Sequence, residues 1–222
     1  MVYSIKVIIM KKEELPKEIP VFPLSNFIIF PGSTVPLNIF EPRYIQMVDE
    51  SMKKNRIIGL IQPKKGENLK NPDLFNVGCI GKITSFNETE DGRYLIILSG
   101  IIRFTIIKEI KHDKLFRKFI VNYDNFIEDL IKQSSNLKFS ELSLIFEKLK
   151  SLFIKKGYTI NWQQIKKQNV NEIVDNLSMA SPFSLEEKQI LLESKNINIR
   201  KKQLEEILKT YNADMFNNKT LQ

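Results

Sequence analysis

The spacing of apolar residues changes once along this 222-residue chain. From about Ile19 to Asn122 they come in short β-prone runs broken by turn residues, and from about Phe139 onward they recur at three- and four-residue steps. In the first half, Val21-Phe22-Pro23-Leu24 and Phe27 to Phe30 read as strands, Pro31 to Thr34 as a turn, and Val35 to Phe40 as the strand returning from it. Glu41-Pro42-Arg43-Tyr44 opens a helix: proline at the first helical position loses no internal hydrogen bond, and a carboxylate suits the positive end of the dipole. That helix places Tyr44, Ile45, Met47, Val48 and Met52 on one face and ends near Lys53-Lys54-Asn55. Ile57 to Gln62 is a short buried strand, followed by a polar loop from Pro63 to Asn71. Val77 to Phe86 and Tyr94 to Leu98 form a hairpin around Asn87 to Gly92, where Asp91-Gly92 tolerates positive φ. Ser99-Gly100 reads as a further reversal into Ile101 to Ile107, and Phe116 to Tyr123 as the closing strand. Prolines 20, 23 and 36 lie in or beside these runs, so the strands are expected to be short, edge-like or bulged, in an antiparallel meander that curls to remove its own edges.

The second half reads as amphipathic helices. Phe139, Leu142, Ile145, Phe146, Leu149, Leu152 and Phe153 line one face, and Gly157 is the stop. Trp162, Ile165, Ile173, Val174 and Leu177 mark one or two shorter helices ending before Pro182. Ser184 and Glu187 form a capping box for a helix through Ser194, and Asn198 is expected to cap a last helix carrying Leu204, Ile207, Leu208 and Tyr211. The junction from Glu128 to Lys138 is polar, and the tail from Asn212 to Gln222 is expected to fray.

Five blocks in order carry a resemblance to a known family. They are Ile19 to Tyr44 (IPVFPLSNFIIFPGSTVPLNIFEPRY); Ile57 to Pro63; Val77 to Ile83; Asp91-Gly92-Arg93-Tyr94 with Ser99 to Phe104; and Glu187 to Glu193. Together they span roughly residues 19 to 210 and make the chain similar to the N-terminal, substrate-recognising domain of the Lon ATP-dependent proteases, in its free-standing form. The resemblance implies an α+β fold: a PUA-like β-barrel with one or two helices, followed by a C-terminal all-α helical bundle. The expected boundaries are an extension over 1–18, the barrel over 19–130, the bundle over 131–211 and a frayed tail over 212–222.

Composition narrows the class of function. The 42% hydrophobic content is that of a globular protein, no apolar run approaches the roughly 18–20 residues needed to span a bilayer, and Val7 to Met10 is too short for a signal core. One cysteine allows no intrachain disulfide, so the expected location is the cytoplasm. The net charge of +8 is spread along the chain, and 28 of the 34 basic residues are Lys, whereas base and phosphate recognition favours the planar fork of Arg. A solvated surface is therefore the leading reading of the charge, with a functional basic patch as the other.

Catalytic and metal chemistry find little footing. Gly78-Cys79-Ile80-Gly81-Lys82 lacks the spacing of a phosphate-binding loop and reads as a strand that bends at its glycines. His112, the only histidine, falls in a charged turn, and Cys79 sits among apolar neighbours, so neither a nucleophile pair nor a zinc site is expected. Full-length Lon enzymes carry an ATPase and a serine–lysine peptidase; 222 residues leave room for neither, and the chain is expected to be non-enzymatic, without cofactor or metal.

Three groups stand out as candidate protein-binding residues. Glu41, Arg43 and Tyr44 at the helix start read either as a capping carboxylate with a local ion pair or as a recognition cluster. Phe27 and Ile29 belong to an alternating run, Phe27 to Phe30, of which one pair faces away from the barrel interior or into the helical half, and which reads either as interdomain or core packing or as an exposed docking patch. Arg93 and Arg103, placed in adjacent strands about the Ser99-Gly100 turn, either approach each other to hold an acidic partner or pair structurally with a carboxylate such as Glu109. The resemblance implies recognition of unfolded or extended polypeptides in a groove between barrel and bundle, and by extension an adaptor role beside an ATP-dependent protease. The alternative is an RNA-binding PUA-like module, separable by a steep salt dependence.

Overall fold

The computed structural model describes residues 10–66, 71–131, 137–159 and 161–217, with side chains up to Tyr211. The chain forms two compact units, Met1–Gln133 and Ser134–Gln222.

In the first unit the β-prone runs become β1 (Glu18–Pro23), β2 (Thr34–Ile39), β3 (Ile57–Pro63), β4 (Leu74–Glu88), β5 (Tyr94–Ile110) and β6 (Arg117–Asn122), with helix α1 (Pro42–Met52) between β2 and β3. They make one six-stranded sheet of order β2-β5-β4-β3-β1-β6. β6 also pairs with the second half of β5, so the pairings return on themselves and leave β2 outside the circuit, on the first half of β5. Ile19, Val21, Ile57, Ile61, Ile80, Ile102, Phe104 and Val121 fill the core, each burial being worth roughly 1.5–3 kcal/mol before the cost of ordering the chain.

This arrangement departs from a meander in three places. β1 pairs parallel to β3 and antiparallel to β6, and β2 pairs with β5, so β1 and β2 form no hairpin despite the turn at Pro31-Gly32, where Gly32 has φ +79°. Residues Phe27 to Phe30 are not a strand: they are irregular, and Ile28, Ile29 and Phe30 are buried in succession, which no alternating strand with one solvated face would do. Ser99-Gly100 is no reversal either, since β5 runs unbroken from Tyr94 to Ile110. Gly100 is needed for close approach instead. A Cβ there would lie 2.2 Å from the Phe30 carbonyl oxygen, and the Gly100 amide donates to Ser33 O at 2.9 Å. The predicted hairpin at Asp91-Gly92 is present, with Gly92 at φ +77°.

Helix α1 starts at Pro42 as its sequence predicts, but the Glu41 carboxylate accepts no bond from the helix amides. It turns to Arg43 instead. The buried face is Tyr44, Met47, Val48 and Ser51, with Ile45 and Met52 only half-buried.

The described residues of the second unit are helical or connecting: α2 (Ser143–Lys155), α3 (Trp162–Ile165), α4 (Val170–Ala180), α5 (Leu185–Glu193) and α6 (Ile197–Asn217). Helix α2 buries Ile145, Phe146, Leu149, Leu152 and Phe153, and Gly157 follows at φ +73°. The capping box of α5 is formed, with Glu187 N donating to Ser184 Oγ at 3.2 Å and Ser184 N donating to the Glu187 carboxylate at 2.7 Å. The cap of α6 falls two residues earlier than predicted: Asn196, rather than Asn198, accepts from Ile199 N at 3.0 Å. The helix then continues to Asn217, through much of the segment expected to fray, while residues 218–222 lie outside the described residues. Buried Arg200 joins α6 to its neighbours through Asp175 on α4 and the Leu191 carbonyl on α5.

Candidate polypeptide-binding surface

Strand β2 reads TVPLNI, and its alternation sorts the side chains cleanly. Val35, Leu37 and Ile39 are buried, while Thr34, Pro36 and Asn38 face solvent. Its ladder to β5 pairs Val35 with Leu98, Leu37 with Ile96 and Ile39 with Tyr94. Ser33 O accepts from Gly100 N, which fixes the phase: the odd-numbered residues of β2 turn their peptide groups toward β5, and Thr34, Pro36 and Asn38 turn theirs away. Proline is therefore accommodated at position 36, because the missing N–H would have pointed off the sheet. Among the described residues no strand pairs with that outer edge.

Beside the edge lies a shallow cleft of ≈ 520 Å³ lined by Asn38, Thr89, Glu90, Asp91, Arg93 and Leu95. The β4–β5 turn builds its polar wall. Thr89 Oγ1 donates to Asp91, Arg93 Nε lies 2.8 Å from the Asp91 carboxylate, and the Thr89 hydrogen bond, followed by Arg93, lowers the Asp91 pKa. The apolar contribution is Leu95, 44% exposed, with Phe40, 66% exposed, directly after β2. On the opposite face of β5 from Leu95, Tyr94 packs edge-on to Phe86 at 4.8 Å and donates to Asp49 of α1 at 2.9 Å. Burial, then the Asp49 bond, raises the Tyr94 phenol pKa.

The residues singled out from the sequence fall in separate places. Glu41, Arg43 and Tyr44 are brought together: Arg43 Nε donates to Glu41 at 2.9 Å, its guanidinium lies 4.5 Å from the Tyr44 ring centroid, and that ring packs on Phe22 at 4.3 Å. Tyr44 is buried, and burial raises its pKa. Phe27 is half-buried and Ile29 fully buried, so Ile29 belongs to the core. Arg93 lines the cleft, whereas Arg103 is buried at 1% exposure and far from it in role. Among the described residues Arg93 pairs with Asp91 and Arg103 with Asp129. Arg103 grips Asp129 through Nε at 2.8 Å and Nη2 at 2.7 Å, stacks 4.3 Å over Phe126, and accepts no help from Glu109, which is paired with Arg117 at 2.7 Å. Cys79 is buried, and His112 is exposed with its Nδ1 accepting from Lys114 N. The outer edge of β2, Asn38, Phe40 and Leu95 were missed as site residues. Proline within an alternating run was the available signal, since it confines a strand to an edge.

These features define an α+β fold: a six-stranded sheet with an edge that no described strand pairs, joined in sequence to a helical unit. The chain belongs to the ATP-dependent protease La (LON) substrate-binding domain family, whose model matches residues 18–210. Among curated relatives, Lon protease of Desulfosudis oleivorans is 27% identical over 196 residues, covering 86% of this chain and 24% of that protein. Lon protease of Buchnera aphidicola is 28% identical over 200 residues, covering 87% and 25%. The chain thus spans about a quarter of the length of these relatives. Two solved structures show the same fold. A Lon N-terminal domain protein from Xanthomonas campestris superposes with a TM-score of 0.59 at 21% identity, covering 84% of this chain and 96% of that one. The N-terminal domain of Mycobacterium avium complex Lon protease gives 0.58 at 17% identity, covering 87% and 98%. Among the described residues no helix is long and apolar enough to cross a membrane.

Proposed function

We propose that this chain is a non-catalytic module that recognises unfolded or extended polypeptides, with the β2 edge as its main docking line. The observation that carries the reading is the unpaired outer edge of β2, flanked by exposed Phe40 and Leu95 and by the Asn38–Arg93 cleft. An incoming strand gains main-chain hydrogen bonds from the Thr34 and Asn38 amides and the Thr34, Pro36 and Asn38 carbonyls, while the apolar pair receives its side chains. Pro36 removes one donor from the centre of that edge, which disfavours β2 pairing with a second β2 and reserves the edge for unlike strands. The sheet unit is read as a PUA-like barrel and the helical unit as a bundle, in a substrate-recognition part that serves an ATP-dependent protease, in cis or as an adaptor. The family membership supports this partnership.

The test is Asn38→Pro, which deletes one outward amide and leaves the ladder to β5 intact. Binding of permanently unfolded, carboxymethylated α-lactalbumin is measured by fluorescence anisotropy. A loss of about tenfold, with unchanged circular dichroism, supports strand addition, since one lost hydrogen bond with a buried unpaired carbonyl is worth about 1–3 kcal/mol. Equal affinity of the variant, or no affinity of the parent for the unfolded chain, overturns it.

A further inference from the structure

Between Glu147 and Glu172 the sequence contains six lysines and no acidic residue. Five lysines elsewhere sit in ion pairs: Lys12 with Asp124, Lys54 with Glu50, Lys118 with Glu18, Lys201 with Glu205 and Lys209 with Glu206. Lys148 has the Glu206 carboxylate in its field. The other five, Lys150, Lys155, Lys156, Lys166 and Lys167, are exposed and make no ion pair among the described residues. The dipole of α2 accounts for Lys155 in its last turn, and for no more than that.

The backbone that carries these lysines is held together. Trp162, opening α3, packs edge-on against Phe146 and Phe153 of α2 at 5.9 Å each, and Tyr158 meets Phe153 at 6.0 Å. The end of α2 and α3 are thereby held against each other, and Ile154, 68% exposed, and Tyr158, 55% exposed, are the apolar side chains next to Lys155 and Lys156 in the chain.

We infer that this face binds an acidic, amphipathic polypeptide segment, one that alternates carboxylates with large apolar side chains. Charge complementarity selects the carboxylates: five ammonium groups with no ion pair among the described residues, on a stretch of sequence without an acid, attract a polyanion and repel basic segments. Ile154 and Tyr158 select apolar groups between them. A lipid surface fits less well, because the apolar stripe of α2, Ile145 to Phe153, is buried inside the unit and is not available for insertion. Nucleic acid fits less well, because the patch has no arginine fork and Trp162 is occupied in its ring stack. The inference is independent of the β2 edge, which lies on the other unit.

The experiment uses the full chain and a fluorescein-labelled 15-residue peptide alternating Glu or Asp with Leu and Phe, a twin with Gln at every acidic position, a 15-nucleotide single-stranded RNA, and vesicles containing phosphatidylserine. The expected result is that the acidic peptide binds at least tenfold more tightly than its neutral twin. The double variant Lys155→Glu with Lys156→Glu abolishes that preference, Ile154→Ser weakens both peptides to a similar degree, and Lys111→Glu on the other unit changes neither. All of these positions are exposed, and an unchanged melting curve confirms that the fold is retained. Equal binding of the two peptides, or an unaffected Lys155→Glu/Lys156→Glu variant, overturns the inference. Tighter binding of RNA or of vesicles than of the acidic peptide also overturns it and reassigns the patch.

Discussion

Asp129→Ala is expected to destabilise the sheet unit by about 3–5 kcal/mol, the usual cost of stranding one member of a buried ion pair. Arg103 and Asp129 have side chains only 2% and 6% exposed, so both charges are held out of water in the folded chain. The loss is compound: two charge-assisted bonds at 2.8 and 2.7 Å, and a third at 3.1 Å from the Arg103 backbone amide to the same carboxylate. The stacking of Arg103 on Phe126 survives the change but does not neutralise the charge. Against a total of about 5–15 kcal/mol for an ordinary domain, this is about a fifth or more of the stability. The companion Arg103→Met/Asp129→Asn removes both charges and keeps an acceptor for the Arg103 amide, and is expected to recover at least half of the loss, because the penalty lies in the unpaired charge more than in the missing attraction. The assay is urea unfolding read by hydrogen exchange of peptides from β5 and β6. Fluorescence would not serve, since Trp162 is the single tryptophan and lies in the helical unit. A loss below about 1 kcal/mol for Asp129→Ala, or a double variant no better than the single, would refute the reasoning.

Other expectations follow from local geometry. Gly100→Ala drives a Cβ into the Phe30 carbonyl at 2.2 Å, backbone against backbone, and should cost about 3 kcal/mol in thermal or urea melts; a neutral effect would mean that the 24–33 segment does not rest on β5. Ser184→Ala removes the acceptor for the Glu187 amide and should cost about 1 kcal/mol, measured as a lower melting midpoint of the helical signal. Burial first, then the bond to Glu187, pushes the Tyr211 phenol up to about 12, from an unfolded value of 10.0. The folded state thus holds this proton more tightly, so its contribution is present below pH 10 and is lost as pH rises from about 10 through about 12. Tyr211→Phe should therefore narrow its stability deficit over that interval, and a constant difference between the two melting curves would count against the assignment.

The helices were legible because their signals are local. The 3.6-residue stripe of α2, the proline that starts α1 and the Ser184–Glu187 box each lie within one element and need no partner to be recognised. The sheet was only half legible. Strand positions showed in the β-branched runs, but the parallel pairing of β1 with β3 and the attachment of β2 to β5 are set by tertiary packing, which alternation does not encode. Gly100 looked like a turn because glycine serves both tight turns and close backbone approach, and only the Phe30 carbonyl distinguishes them. Arg103 called for a carboxylate, and Glu109 was nearer in sequence, yet the 3-10 segment Asp124–Leu130 delivers Asp129 from 26 positions away. The edge of β2 could have been inferred from Pro36; Phe40 and Leu95 could not, since exposure of a single apolar residue leaves no mark in the pattern.

The route of β1 through the sheet has a kinetic consequence. Its neighbours are β3 and β6, and the ion pair of Glu18 with Lys118 joins positions 100 apart, so the first strand made is among the last to be paired on both sides. At synthesis rates of about 5–20 residues per second, β1 waits about 5–20 s for β6 to emerge. During that interval Ile19, Val21 and Phe22 have no finished ladder to shelter them, which makes the nascent chain itself a candidate for the holdase chaperones of the cell.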